Sequence, residues 1–111
     1  ELAVEASPEH GPVVVRITYT ISTEREDAFL GAMVRVRLSR LRTGATQWGL
    51  FRDGEVPHDF VELFVVGSWD EHLRQHTDRI TGTDEEFLDA ARALSDPPPR
   101  TSHLIAAEPL G

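Results

Sequence analysis

Residues 59–76 read DFVELFVVGSWDEHLRQH. Phe60, Val61, Leu63, Phe64, Val65 and Val66 make a β-branched and aromatic run, suited to a strand buried on both faces. Glu62 is the one charge inside it. Ser68 then offers an N-cap hydroxyl, with Glu71 three residues on as in a capping box. Trp69, Leu73, His76 and Ile80 follow at i, i+4, i+7 and i+11, the spacing of one helical stripe. His72 lies one turn from both Trp69 and His76. The stretch therefore predicts a strand that runs directly into a helix over about 69–80. Two imidazoles and an indole face the sheet, and a strand carboxylate belongs near them.

Working outward, the preceding segment ATQWGLFR (45–52) reads as a strand. Asp53-Gly54 and Pro57 punctuate a turn, which predicts an antiparallel hairpin with the 59–67 strand. Upstream, Val13, Val15, Ile17, Tyr19 and Ile21 alternate with Val14, Arg16, Thr18 and Thr20, a strand over 12–21 with one core face. Thr23 and Glu26 suggest a capping box opening a helix to about Arg42, with Gly44 as its stop. That helix carries two adjacent apolar stripes: Phe29, Met33 and Val36, and then Leu30, Val34, Leu38 and Leu41. Such a wide face exceeds one sheet contact and points to packing against a second subunit. Arg35, Arg37, Arg40 and Arg42 crowd its last turns. They suit an anion or lipid-headgroup patch, but a solvated face that complements the helix dipole is the preferred reading.

Downstream, Gly82 breaks the helix, and Thr83 with Glu86 suggests a third capping box. Phe87, Ala90, Ala91 and Leu94 give the next helix its buried stripe. Asp96-Pro97-Pro98-Pro99 is a rigid extended connector, and a last strand runs from Arg100 to about Ala107. The order βαββααβ predicts an α+β fold of the split βαβ, ferredoxin-like kind, a four-stranded antiparallel sheet with helices on one side. The bare sheet face calls for a cover, and a second copy of the sheet supplies one. The expected layout is a tail or linker over 1–11, a domain over 12–108 and a short tail over 109–111.

At 111 residues with 40% hydrophobic content the chain suits one folded domain. A net charge of −8 argues against nucleic acid as a partner. All the basic residues are Arg, and the sequence holds neither Cys nor Asn. The missing Cys excludes disulfides, thiol nucleophiles and thiolate metal sites. No apolar run is long enough to span a membrane, and no signal peptide is visible. A start at Glu1 rather than Met fits a piece cut from something longer or a processed product. No glycine-rich phosphate loop or serine elbow motif is present.

The segments GPVVVRITYTI (11–21), EDAFLGAM (26–33), GATQWGLFRD (44–53), DFVELFVVGSWDEHLRQH (59–76) and SHLIA (102–106) together carry a resemblance. The chain resembles the C-terminal soluble domain of the transmembrane secretion effectors, major facilitator superfamily exporters of bacteria. It is also similar to the dimeric α/β-barrel superfamily, which includes the antibiotic biosynthesis monooxygenases. The resemblance implies a homodimer of two ferredoxin-like sheets with a small aromatic ligand between sheet and helices. It implies a cytoplasmic domain of an inner-membrane protein, with the transporter portion of the same full-length chain as partner. Cofactor-free oxygenases of that superfamily use a helical His with a Trp or Asn. His76 is the matching candidate base, with His72 and Trp69 beside it.

The ligand-binding candidates are His72, His76, Trp69, Glu62 and Trp48. His72 and His76 have the spacing of helical zinc ligands, and Glu62 is a possible third, on whichever face its strand parity with Phe60, Phe64 and Val66 puts it. Leu73 stands where a metalloprotease has Glu, so that hydrolysis has no support. The preferred reading is two partly buried histidines bonded to backbone or to Glu62, with no metal and no cofactor. His58 and His103 receive no role. The expected function is a dimerising or ligand-sensing cytosolic domain of an exporter, more a binding module than an enzyme. The alternative is a cofactor-free monooxygenase acting on a quinol or polyphenol, with His76 as general base.

Overall fold

The computed structural model describes residues 11–107. Of the expected linker or tail over 1–11 all but Gly11, and the whole expected tail over 109–111, lie outside them. In chain order the elements are β1 (Val13–Thr20), a 3-10 turn (Thr23–Arg25), α1 (Glu26–Arg42), β2 (Gln47–Arg52) and β3 (Asp59–Val66). Then come α2 (Trp69–Arg74), a π-helical turn (Gln75–Arg79), α3 (Gly82–Arg92) and β4 (Arg100–Ile105). The strands form one antiparallel sheet in the order β2-β3-β1-β4. This is the expected α+β, ferredoxin-like arrangement.

Strand alternation decides the two faces. Val13, Val15, Ile17 and Tyr19 of β1 lie beside Phe60, Phe64 and Val66 of β3 in the core. Phe29, Met33 and Val36 of α1 cover them, with Leu88 and Ala91 of α3. Each large side chain so buried contributes about 1.5–3 kcal/mol. The opposite sheet face carries Val14, Val61, Leu63, Val65, Phe51 and Leu104, by the strand register. Phe51 is 55% exposed and Leu104 47%. No helix of this chain covers that face among the described residues.

Helix ends depart from the expectation in instructive ways. Thr23 caps nothing: a 3-10 turn occupies 23–25, and α1 begins without a side-chain cap. Glu26 instead pairs with Arg52 at the end of β2. The third capping box is real but two residues earlier, between Thr81 and Asp84 rather than Thr83 and Glu86. Asp84 also accepts from Ser39 at 2.7 Å and pairs with Arg42, which ties α3 to α1. Ser68 does cap α2, accepting from the Glu71 amide at 3.1 Å. The Glu71 carboxylate turns away to Arg79 at 2.7 Å. Gly44 ends α1 as expected, with a φ of 134° that other residues rarely adopt.

The helix expected over 69–80 keeps α geometry only to Arg74 and then widens into a π turn. The inward positions are consequently Trp69, His72 and Gln75, while Leu73 is 44% exposed and lies off the expected stripe. Leu30, Val34 and Leu38, the second stripe of α1, point to solvent.

Candidate functional site

Two polar clusters lie on the helix-facing side of the sheet. The first centres on Glu62, which is fully buried. Its parity with Phe60 and Phe64 places it toward the helices, but its partners are not the histidines. Tyr19 donates its hydroxyl to Glu62 Oε1 at 2.8 Å. Trp48 donates its indole N–H to Oε2 at 2.8 Å, and Arg40 Nε donates to the same oxygen at 3.0 Å. The expectation of a histidine bonded to Glu62 is therefore corrected: three other donors saturate that carboxylate. The expectation for Arg40 is corrected as well. It is not on a solvated face but 2% exposed, paired with Glu62 and stacked 4.5 Å over the Phe64 ring. Burial, followed by the adjacent Glu62 charge, pushes the Tyr19 hydroxyl well above its ordinary pKa. The phenol thus stays protonated and donating.

The second cluster is made of rings. His72 Nε2 and His103 Nε2 lie 3.1 Å apart, and one must carry the proton between them. The His76 ring meets His72 edge-on at 4.6 Å between centroids, and Trp69 lies 5.4 Å from His72 and 5.5 Å from His103. The structure thus brings Trp69, His72 and His76 together as expected and adds His103 from β4. Trp48 and Glu62 belong to the other cluster. His103 was legible only through pairing. Its register with Val15 puts it on the core side of β4, and a lone His in a short strand gives no such sign.

Burial, then the neighbouring positive charges, holds the cluster neutral. Burial lowers His72 to about 4, helped by His76 and His103. Burial, then Arg40 and Arg92, lowers His76, and burial lowers His103. At neutral pH these are free imidazoles with lone pairs to offer.

Gln75 sits beneath His72 and is fully buried. Its amide nitrogen donates to Thr43 Oγ1 at 3.0 Å. The Thr43 hydroxyl spends its own proton on the Ser39 carbonyl at 2.7 Å, which fixes the amide's orientation. Gln75 Oε1 and His72 Nδ1 are consequently left buried without full hydrogen-bond partners. A buried polar atom in that condition costs about 1–3 kcal/mol.

Further along β4 the same side of the sheet opens into a cavity of about 590 Å³. Ile17 and Thr101 of the sheet line it, together with Asp89 and Arg92 of α3 and with Pro98 and Pro99. Thr101 and His103 are two apart on one strand and therefore share a face. The cavity and the ring cluster lie on the same face of β4, and Arg92, which lines the cavity, acts electrostatically on His76. A volume of this order suits a small organic ligand. Among the described residues no group of three or more His, Asp or Glu side chains is gathered as a ready metal cage.

The fold has solved counterparts. SnoaB, a cofactor-independent oxygenase from Streptomyces nogalater, was solved as a variant that superposes with a TM-score of 0.71. It is 19% identical, with 88% of this chain and 95% of that one covered. A Caulobacter crescentus protein assigned as an antibiotic biosynthesis monooxygenase gives 0.75 at 16% identity, covering 90% and 93%. A Nitrosomonas europaea protein assigned likewise gives 0.73 at 14%, covering 92% and 96%. At these identities the likeness concerns the fold. No curated protein matches the sequence. The family model described as transmembrane secretion effector matches residues 1–110, and with nearly the whole sequence inside that match, the chain belongs to this family.

Proposed function

We propose that this chain is a homodimeric, ligand-binding module of a bacterial exporter, acting on the cytoplasmic side of the inner membrane. Its partner would be the membrane-embedded part of the same protein. Family membership supports the link to transport. The single observation that carries the ligand-binding reading is a cavity of about 590 Å³ on the same face of β4 as a cluster of neutral imidazoles and an indole, with Thr101 in its lining two residues from His103. Such a surface offers stacking and hydrogen-bond acceptors to a small aromatic molecule. The apolar sheet face opposite suits pairing with a second copy, since both faces of a sheet need cover.

The test is a thermal-shift screen of aromatic metabolites, with native mass spectrometry as the readout of stoichiometry. A ligand of the folded state raises the melting temperature by mass action. The shift must disappear in Arg92→Ala or His103→Ala. A panel without a single hit counts against the reading.

One observation favours a second reading. His76 is solvent-exposed at the edge of the ring cluster, and burial and nearby positive charge hold it deprotonated at neutral pH, as a general base requires. In a cofactor-free oxygenase it would take the proton of a bound quinol or polyphenol. Quinol consumption by wild type and His76→Ala decides the matter: equal background rates rule this chemistry out.

A further inference from the structure

We propose that the ring cluster is a metal site, in which His72 and His103 ligate a late first-row divalent ion such as Zn²⁺ through their Nε2 atoms and His76 closes in as third ligand. The inference deepens the reading of the cleft as a binding site and rests on it. Its first support is distance. Two nitrogens bound to one tetrahedral Zn²⁺ at 2.0–2.1 Å stand about 3.3 Å apart. The two Nε2 atoms already stand 3.1 Å apart, converging from a helix and a strand 31 residues distant.

The second support is the buried pair of unpartnered atoms. A metal on His72 Nε2 places the ring proton on Nδ1. That neutral tautomer can donate toward Gln75, which already acts on His72 as a hydrogen-bond partner, and a small approach of the two side chains would satisfy both unpartnered atoms. A ligating His almost always donates its second nitrogen to such a carbonyl, fixing ring and tautomer. Gln75 is held for this by Thr43, and through it by the end of α1.

The third support is chemical. Three imidazoles without a thiol suit Zn²⁺, Ni²⁺ or Cu²⁺ rather than Mg²⁺ or Ca²⁺. The groups facing them from neighbouring elements are Arg40 of α1, Glu85 and Arg92 of α3, and Trp69 of α2. Of these only Glu85 is a carboxylate, and it acts electrostatically on His76. His76 is solvent-exposed and already meets the His72 ring at 4.6 Å, and the proposal requires its side chain to rotate toward the two Nε2 atoms.

The test is titration of the whole 111-residue chain, freed of metal by a chelator, with Co²⁺ and then Zn²⁺. The expected result is one Co²⁺ per chain with the intense visible absorption of a four-coordinate site, displaced by Zn²⁺. His103→Ala and His76→Ala should abolish the band, while circular dichroism shows both variants folded. Gln75→Leu should weaken Zn²⁺ about tenfold or more, the usual effect of removing an outer-shell partner. Absence of the Co²⁺ band, or a band that survives His103→Ala, overturns the proposal. The aromatic-ligand screen, repeated in the presence of chelator, separates the two readings: a hit there alongside a failed metal titration removes the metal and leaves the cleft reading standing.

Discussion

Arg40 and Glu62 form an ion pair in which the side chains are 3% and 0% exposed. The pair fastens α1 to the middle of the sheet. Burying both charges is costly, and the pair survives because Tyr19 and Trp48 fill the remaining acceptor sites of the carboxylate.

Removing one partner therefore leaves the other stranded. Arg40→Met is predicted to lose about 3–5 kcal/mol of stability. The double variant Arg40→Met with Glu62→Gln, which removes the stranded charge but keeps a carbonyl acceptor among Tyr19 and Trp48, should recover a large part of that. Urea unfolding gives both values. A loss below about 1 kcal/mol in the single variant would mean that the charge escapes to water.

The neutral histidines predict acid sensitivity in metal-free protein. The His72 pKa falls from an ordinary 6.5 to about 4 on folding. The unfolded chain then binds the proton first, so this contribution is complete above 6.5 and is lost as pH falls from there to about 4. The loss is on the order of 3 kcal/mol. The carboxylates with depressed values add losses only below the ordinary carboxylate range. Among them is Asp84, where hydrogen bonds from Arg42, Thr81 and Ser39 outweigh the effect of burial. Denaturation midpoints measured between pH 7 and 4.5 should therefore slope downward, and His72→Gln should flatten the slope.

The open sheet face predicts a dimer. Leu63→Glu or Leu104→Glu places a charge on it without touching the helix side. Multi-angle light scattering at micromolar concentration should give a dimeric mass for wild type and a monomeric mass for these variants. A monomeric wild type would contradict the pairing.

Helix caps give a further test. Thr81→Ala should cost about 1 kcal/mol, since its hydroxyl accepts from the Asp84 amide. Thr23→Ala and Thr83→Ala should stay within about 0.5 kcal/mol, as ordinary surface changes do.

These cap positions show where sequence reading succeeds and where it stops. The alternation of Val13 to Tyr19 and the apolar run of β3 were legible because period and β-branching speak for strands directly. The Thr81 cap was displaced by two residues because Thr83 with Glu86 fits the same pattern, and only the path of the chain through the π turn separates them. Trp69, His72 and His76 were legible as a group from helical spacing. Arg40 and His103 were not. One sits among other arginines on a helix and the other alone in a strand, and each takes its meaning from a partner distant in sequence. Glu62 was noticed as a charge in an apolar strand, but its donors came from β1, α1 and β2 rather than from α2.

The central claim is that the helix-side cleft binds a small molecule. It is tested most directly by the two indole N–H resonances of ¹⁵N-labelled protein during titration with an aromatic ligand from the screen. Trp69 lies against His103 in the ring cluster beside the cavity, while the Trp48 indole is committed to Glu62. The account predicts a saturable shift of the Trp69 signal with Trp48 nearly still. Saturable binding that leaves Trp69 unmoved would contradict it.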